Sequence, residues 1–350
     1  MKRVKRLVAM LAAAVMCLSL LAACGGNTNQ DTGNSGSSGD GSTEPMVLSL
    51  GNVFNEGSVL NQVCEKFTED LNNSGLFDVT YYNNSGLGTS VELLEMILAD
   101  EPVMATLSGS DLGDAIQLYE LAVTMAPFLY DDVTEVAAIT GSDWWADLVA
   151  QAAEKNVHII PGDFMSGERY FFTNTKVVEP EDLHGLKLRV PTNTHYINCM
   201  EAFGATPTPI AVSEMYTSIA QKTVDGCEFP LVDGYGRQLY EVCHYIANTS
   251  YMCEFLMPMV SENVWNSMTA EQQETLVSCA AAAAEYGFEI YEEQSQEYRD
   301  KFVEAGCEFV DIDVEAFKAC VPTYYELNTD WPDDMYETVT GLVNDYRNQQ

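Results

Sequence analysis

Positive charge is scarce in this chain. Its 350 residues include 16 Lys and Arg against 53 Asp and Glu, with only 4 His, for a formal net charge of −37. Four of the cations, Lys2, Arg3, Lys5 and Arg6, stand in the first six residues, so the remainder holds 12 cations and a net charge of −41. A field of that sign is a poor partner for nucleic acid or an anionic membrane surface. His158, His184, His195 and His244 never stand at i, i+4 spacing, and the 10 cysteines contain no Cys-x-x-Cys, so a metal site has no support. G-x-S-x-G elbows, P-loops and dinucleotide fingerprints are absent, and nothing calls for a cofactor. Acid pairs such as Asp131-Asp132 and Asp333-Asp334 are what so acidic a chain is expected to expose to water, which leaves an exported acid hydrolase permitted but unsupported.

Only one long apolar run occurs, Leu7 to Ala23 directly after the four cations, and it is too short for a membrane span with these flanks. It reads as a secretory signal. Leu21-Ala22-Ala23-Cys24 resembles a bacterial lipobox, so residues 1–23 are expected to be a lipoprotein signal peptide and Cys24 the lipid anchor. Residues 24–45 then form a flexible tether, rich in Gly, Ser, Asn and Thr and without apolar side chains from Gly25 to Pro45. The expected location is exported and lipid-anchored to the outer face of the cytoplasmic membrane, or facing a periplasm. With 47% hydrophobic and 10% aromatic residues the body is globular rather than a disordered acidic chain. Its eight remaining cysteines sit mostly in apolar contexts and read as small buried hydrophobes; sequence gives no pairing for them.

From Met46 onward strand and helix patterns alternate. Strands are expected at Val47–Leu50, Phe77–Tyr82, Val103–Leu107 and Val157–Ile160. Helices fall between them, one carrying the stripe Val59, Leu60, Val63, Phe67 and Leu71, one opening at the Thr89/Glu92 capping box, and one near 133–153. The rhythm restarts after Gly167, with strands near Arg169–Thr173, Leu186–Val190 and Val224–Phe229 and helices near 194–203, 213–222 and 234–243. This predicts an α/β fold with a mainly parallel sheet. A second capping box, Thr269 with Gln272, opens a helical pattern with no strong stop before Gly306. At 1.5 Å per residue such a helix spans roughly 50 Å; it either breaks at Gly287 or crosses from one lobe to the other.

The body has five arginines, 169, 189, 237, 299 and 347. Arg169 and Arg189 lie in strand-like apolar segments, Glu168-Arg169-Tyr170-Phe171-Phe172 and Leu186-Lys187-Leu188-Arg189-Val190-Pro191. A guanidinium buried in such a strand needs an anion. That anion is either an internal Asp or Glu or the carboxylate of a ligand held in a bidentate fork, and the local pattern leaves both open.

Residues 167–230 carry a recognisable set of blocks. They are Gly167-Glu168-Arg169, Thr173-Asn174, Glu181-Asp182-Leu183-His184-Gly185-Leu186-Lys187-Leu188-Arg189-Val190-Pro191, Gly204-Ala205-Thr206-Pro207-Thr208-Pro209, Ser213-Glu214-Met215-Tyr216 and Val224-Asp225-Gly226-Cys227-Glu228-Phe229-Pro230. In order and spacing they resemble the solute-binding proteins of TRAP transporters (tripartite ATP-independent periplasmic transporters), and weaker similarity covers nearly all of 46–320. The resemblance implies a two-lobed periplasmic-binding-protein-like α/β fold with a hinge and a long helix spanning both lobes. Lobe I would comprise 46–166 plus about 255–294, and lobe II 167–254 plus about 295–350. It further implies that the lobes close on an organic acid and deliver it to the membrane subunits of a permease driven by an ion gradient, without enzymatic activity. A version that senses its ligand for a signalling receptor is the alternative role.

The resemblance assigns the main salt bridge to the ligand carboxylate to Arg189 and a second polar contact to Arg169. Asp225 and Glu228 are expected to hold a turn and a hinge, with Glu228 close to the cleft. Many members carry Asn where this chain has Phe229, and Ser110 and Tyr251 fall where acidic-sugar binders have other polar groups. Phe removes a donor and an acceptor and offers an apolar face. The expected ligand is therefore a smaller or less polar monocarboxylate, aromatic or branched, with a dicarboxylate or sugar acid as the competing choice.

Overall fold

The computed structural model describes residues 44–349. The expected signal peptide, the anchor Cys24 and the tether up to residue 43 lie outside the described residues. Eleven strands form one curled sheet, and we label them with the helices of eight or more residues. In chain order they are β1 (Met46–Gly51), α1 (Val59–Asn73), β2 (Phe77–Tyr82), α2 (Ser90–Leu98), β3 (Val103–Ser108), α3 (Gly109–Ile116), α4 (Asp143–Glu154), β4 (Val157–Ile159) and β5 (Phe164–Thr173). The chain continues with β6 (Lys187–Val190), α5 (Thr194–Ala202), β7 (Thr206–Pro209), α6 (Val212–Ala220), β8 (Gly226–Pro230), β9 (Tyr245–Ala247), β10 (Cys253–Ser261), α7 (Ala270–Glu304), β11 (Glu308–Val310) and α8 (Met335–Asn348).

The strand order is β2-β1-β3-β10-β5-β8-β6-β7, with β4 on β10 and β9 bridging β5 to β11. Pairing is parallel within β2-β1-β3 and within β8-β6-β7, but antiparallel wherever β10 or β5 takes part. This corrects the expectation of a mainly parallel sheet. Two parallel halves are joined through two long strands that run against them. β10 escaped sequence reading because it is buried along its whole length, shows no alternation of apolar and polar residues, and contains Pro258, a residue that argues against a central strand. The Pro258 carbonyl accepts from Ile160 N at 2.9 Å. Its missing N–H lies on that same side, between the β5 ladder ending at Leu256 and the β4 ladder starting at Met259, where no donor is required.

β5 changes partners at Gly167, whose φ of +129° a side chain rarely adopts. The opposite strand shifts register there, between Glu254 and Phe255, a bulge that bends the ladder and turns Arg169 into the second half of the sheet.

The long helix α7 is continuous for 35 residues. Thr269 and Gln272 exchange backbone-to-side-chain bonds of 2.9 and 3.2 Å at its start. Gly287 does not break it: a Cβ there would meet Val63 Cγ2 at 2.8 Å, so the glycine lets α7 lie close on α1. Toward its N-terminus α7 packs Leu276, Ala280 and Ala283 with Val59, Val63 and Phe67 of α1. At its far end Phe302 packs with Phe172, Cys227 and Leu239. One helix thus helps to bury two separate apolar clusters, each large side chain contributing about 1.5–3 kcal/mol.

Two expected helices are interrupted. The segment near 133–153 is two short turns, then α4 started afresh by Ser142, whose hydroxyl accepts from Trp145 N at 3.1 Å. The segment near 234–243 is split into short helices at Leu231–Gly236 and Leu239–Val242, with Gln238 between them at φ +60°. The eight body cysteines are unpaired; six are buried, while Cys279 and Cys320 are half-buried.

Candidate functional site

The strand order brings β5, β8 and β6 side by side, with Arg169 opposite Pro230 and Arg189 opposite Cys227. Both guanidiniums are buried, at 1% and 2% exposure, and both line one cavity of about 90 Å³. Their surroundings differ. Arg169 lies between two carboxylates. Its Nε and Nη2 donate to the two oxygens of Glu228, the latter bond at 2.8 Å, and its Nη1 stands 2.7 Å from Glu254 Oε2. Tyr251 OH donates to Glu228 at 3.0 Å and Tyr196 OH to Glu254 at 2.7 Å, completing a buried network. Burial alone would lower the Arg169 pKa, but Glu228 and then Glu254 outweigh it and hold the guanidinium well above its usual value.

Arg189 has no such company. Its Nε donates to the Ile210 carbonyl at 2.8 Å and its Nη1 faces Met215 Sδ at 3.7 Å. Among the described residues no carboxylate lies within 4.0 Å of it. Burial, only partly offset by the more distant Glu228, pulls its pKa down to about 10. It is a desolvated cation whose counter-ion is missing.

Phe229 sits among the cations. Its ring centroid is 5.4 Å from the Arg169 guanidinium carbon, 6.0 Å from that of Arg189 and 5.7 Å from that of Arg237. The ring face stabilises positive charge without neutralising it. Arg237, from the turn after Leu231–Gly236, donates through Nε to Asp233 at 2.9 Å and through Nη2 to the Val53 carbonyl at 2.9 Å.

The other anticipated residues do not line this cavity. Glu228 is fully buried as the partner of Arg169. Ser110 shares a 2.8 Å hydrogen bond with Ser108 Oγ. Tyr251 lines a separate cavity of about 210 Å³ beyond Glu228. Asp225 is exposed and accepts from Lys187 N at 2.8 Å, holding a turn. Sequence reading missed Asp111, Asn193, Tyr196, Glu254 and the Asp233–Arg237 pair, all of which line the first cavity. The i, i+4 spacing of Asp233 and Arg237 was a legible signal; nothing local marks the others.

Polar contacts close the cavity from both sides. Asn193 Nδ2 donates to Asp111 at 2.9 Å, and Thr194 donates to Asp114 through N and Oγ1 at 2.8 and 3.0 Å. Asn55 N donates to Asp233 at 3.2 Å. These bonds tie the loop after β1 and helix α3, which belong to the first half of the sheet, to α5 and the short helix of the second. Among the described residues no group of three or more His, Cys, Asp or Glu is arranged for a metal.

A cavity between two sheet halves, with buried guanidiniums in a largely apolar lining, is what a solute-binding protein presents, and residues 50–329 match the model of bacterial extracellular solute-binding protein, family 7. The chain belongs to this family, the solute-binding proteins of TRAP transporters. It is 26% identical over 280 residues to a solute-binding protein of Roseobacter denitrificans, covering 79% of this chain and 85% of that one. It is 24% identical to the C4-dicarboxylate-binding periplasmic protein of Rhodobacter capsulatus, covering 85% and 88%. A TRAP periplasmic solute-binding protein from Ochrobacterium anthropi with bound L-fuconate superposes with a TM-score of 0.81 at 26% identity, covering 85% of this chain and 99% of that one. The fold is the two-lobed α/β fold of periplasmic binding proteins. The protein serves a transporter by binding its solute and is not an enzyme, which sets aside the hydrolase alternative. No helix among the described residues is long and apolar enough to cross a membrane.

Proposed function

We propose that this protein captures an organic acid by its carboxylate, holds it on Arg189 between the two lobes, and delivers it to a TRAP permease while tethered to the membrane through Cys24. The observation that carries the reading is the missing counter-ion: Arg189 is buried, charged and without a carboxylate, in a cavity closed from both sides. A ligand carboxylate would supply two charge-assisted hydrogen bonds in the geometry a guanidinium fork favours. Arg169 then acts from beside the ligand, with its charge already committed, and Phe229 forms the floor between them. Glu228 and Tyr251 hold Arg169 in place, and Ser110 supports the wall near Asp111.

The lobes would comprise 46–166 plus about 255–294 and 167–254 plus about 295–350. The change of partner along β5, the two parallel halves of the sheet and the reach of α7 support this division. The names of relatives that bind L-fuconate or C4-dicarboxylates favour an acid ligand. The lipobox-like Leu21-Ala22-Ala23-Cys24 supports the anchor, and mass spectrometry of the exported protein checks it by the presence or absence of a diacylglyceryl group on Cys24.

A thermal-shift screen of the exported protein against organic acids, run beside Arg189→Ala, tests the capture. A ligand at 100 times its dissociation constant stabilises the fold by about 2.7 kcal/mol, enough for a shift of several degrees. The shift should vanish in the variant. A shift that persists there removes Arg189 from the binding role.

A further inference from the structure

The charged groups around the cavity can be paired off one by one. Three guanidiniums line it, Arg169, Arg189 and Arg237, together with the carboxylates of Asp111, Asp233 and Glu254; Glu228 stands directly behind. Among the described residues no lysine or histidine lines it. Arg237 is paired with Asp233 at 2.9 Å. Arg169 faces Glu228 and Glu254 together, so its charge is already met within the protein. Asp111 is held by neutral donors, Asn193 at 2.9 Å and Ser108 at 2.9 Å. Only Arg189 is open. One negative charge on a ligand meets that cation and is neutralised. A second would find no uncommitted cation, and it would approach the carboxylate of Asp111 or Glu254 in the same cavity.

We propose that the site selects a singly charged carboxylate whose remainder is neutral, and rejects dicarboxylates and phosphate monoesters. The inference rests on the reading of Arg189 as the carboxylate anchor. Glu254 is its specificity determinant: with Glu228 it keeps Arg169 occupied, so that the cavity offers one cationic site rather than two. The carboxylate oxygens of Asp111 and Glu254 suit hydroxyl donors on the neutral end and repel a second anionic group.

The test is calorimetry at pH 7.5 on the exported protein with three matched pairs, butyrate and succinate, galactonate and galactarate, benzoate and phthalate, together with glycerol 3-phosphate. Within the skeleton that binds, the monoanion should bind at least 100-fold tighter than the dianion. Glu254→Gln keeps the shape and the acceptor for Tyr196 while removing one carboxylate charge, and it should narrow that gap at least tenfold. If the variant does not fold, as judged by circular dichroism, the wild-type ratio still decides. A dianion or the phosphate ester binding as tightly as the monoanion, and lost in Arg189→Ala, overturns the selectivity while leaving carboxylate capture intact. Silence from all seven probes overturns capture and selectivity together.

Discussion

Strands β5 and β6 each carry an arginine into the same cavity, and the two arginines have opposite surroundings. Arg169 is pinned by Glu228 and Glu254 and braced by Tyr196, whose ring centroid lies 4.6 Å from its guanidinium carbon. Arg189 makes neutral contacts only. Residue type, burial and strand setting are shared, so none of these separates a structural arginine from a binding one. The partner does. A buried cation with two carboxylates is part of the framework, whereas one with a carbonyl and a thioether carries a charge that no neighbouring protein group cancels, which is the ground for proposing it as the ligand anchor.

The largest effect should come from breaking the finished pair. Glu228→Gln leaves Arg169 with Glu254 as its one carboxylate, an off-axis contact whose Oε2 accepts no hydrogen bond, and strips Tyr251 of a charged acceptor. Removing one partner of a buried pair costs about 3–5 kcal/mol, and denaturant unfolding should show a loss of that size. A loss below about 1 kcal/mol would mean that Arg169 is no more structural than Arg189.

Arg189→Met in the ligand-free protein should move stability in the other direction or not at all. The substitution removes a desolvated charge without a protein counter-ion and keeps apolar volume beside Met215, so the unfolding free energy in denaturant should stay level or rise by about 1–2 kcal/mol. A clear destabilisation would show that Arg189 is held by its neutral contacts as firmly as Arg169 is by its anions.

The smallest effect is expected at Phe229. Phe229→Asn withdraws a ring face from three guanidiniums in the free and the bound protein alike, so most of that loss cancels in the affinity, and adds a donor and an acceptor. Affinity for the bound acid should change only a few-fold, with preference moving toward hydroxylated acids. Unchanged preference across the screen would take Phe229 out of ligand selection.

Much of the framework was legible before any coordinates. The capping boxes at Thr89 and Thr269, the amphipathic stripe of α1, the strands of the first half and the length of α7 all follow from local rules of hydrogen bonding and periodicity, and they stand where expected. The misreadings have local causes. Pro258 disguised β10, Ser142 and Gln238 interrupt helices that apolar patterning had run together, and Gly287 looked like a weak point because its packing partner Val63 is remote in sequence. The direction of the central pairing was illegible because alternating strands and helices say nothing about where a late strand such as β10 is inserted.

The sequence by itself determined the acidic composition, the family blocks and the two arginines set in apolar, strand-like segments. Only the tertiary structure decided which arginine is neutralised. Glu228 and Glu254 reach Arg169 because β8 and β10 flank β5 on either side, while β6 is flanked by β8 and β7 and brings Arg189 no acid. Ion pairing in a desolvated interior depends on contacts of a few ångströms, and that distance is set by strand order, which no stretch of sequence contains.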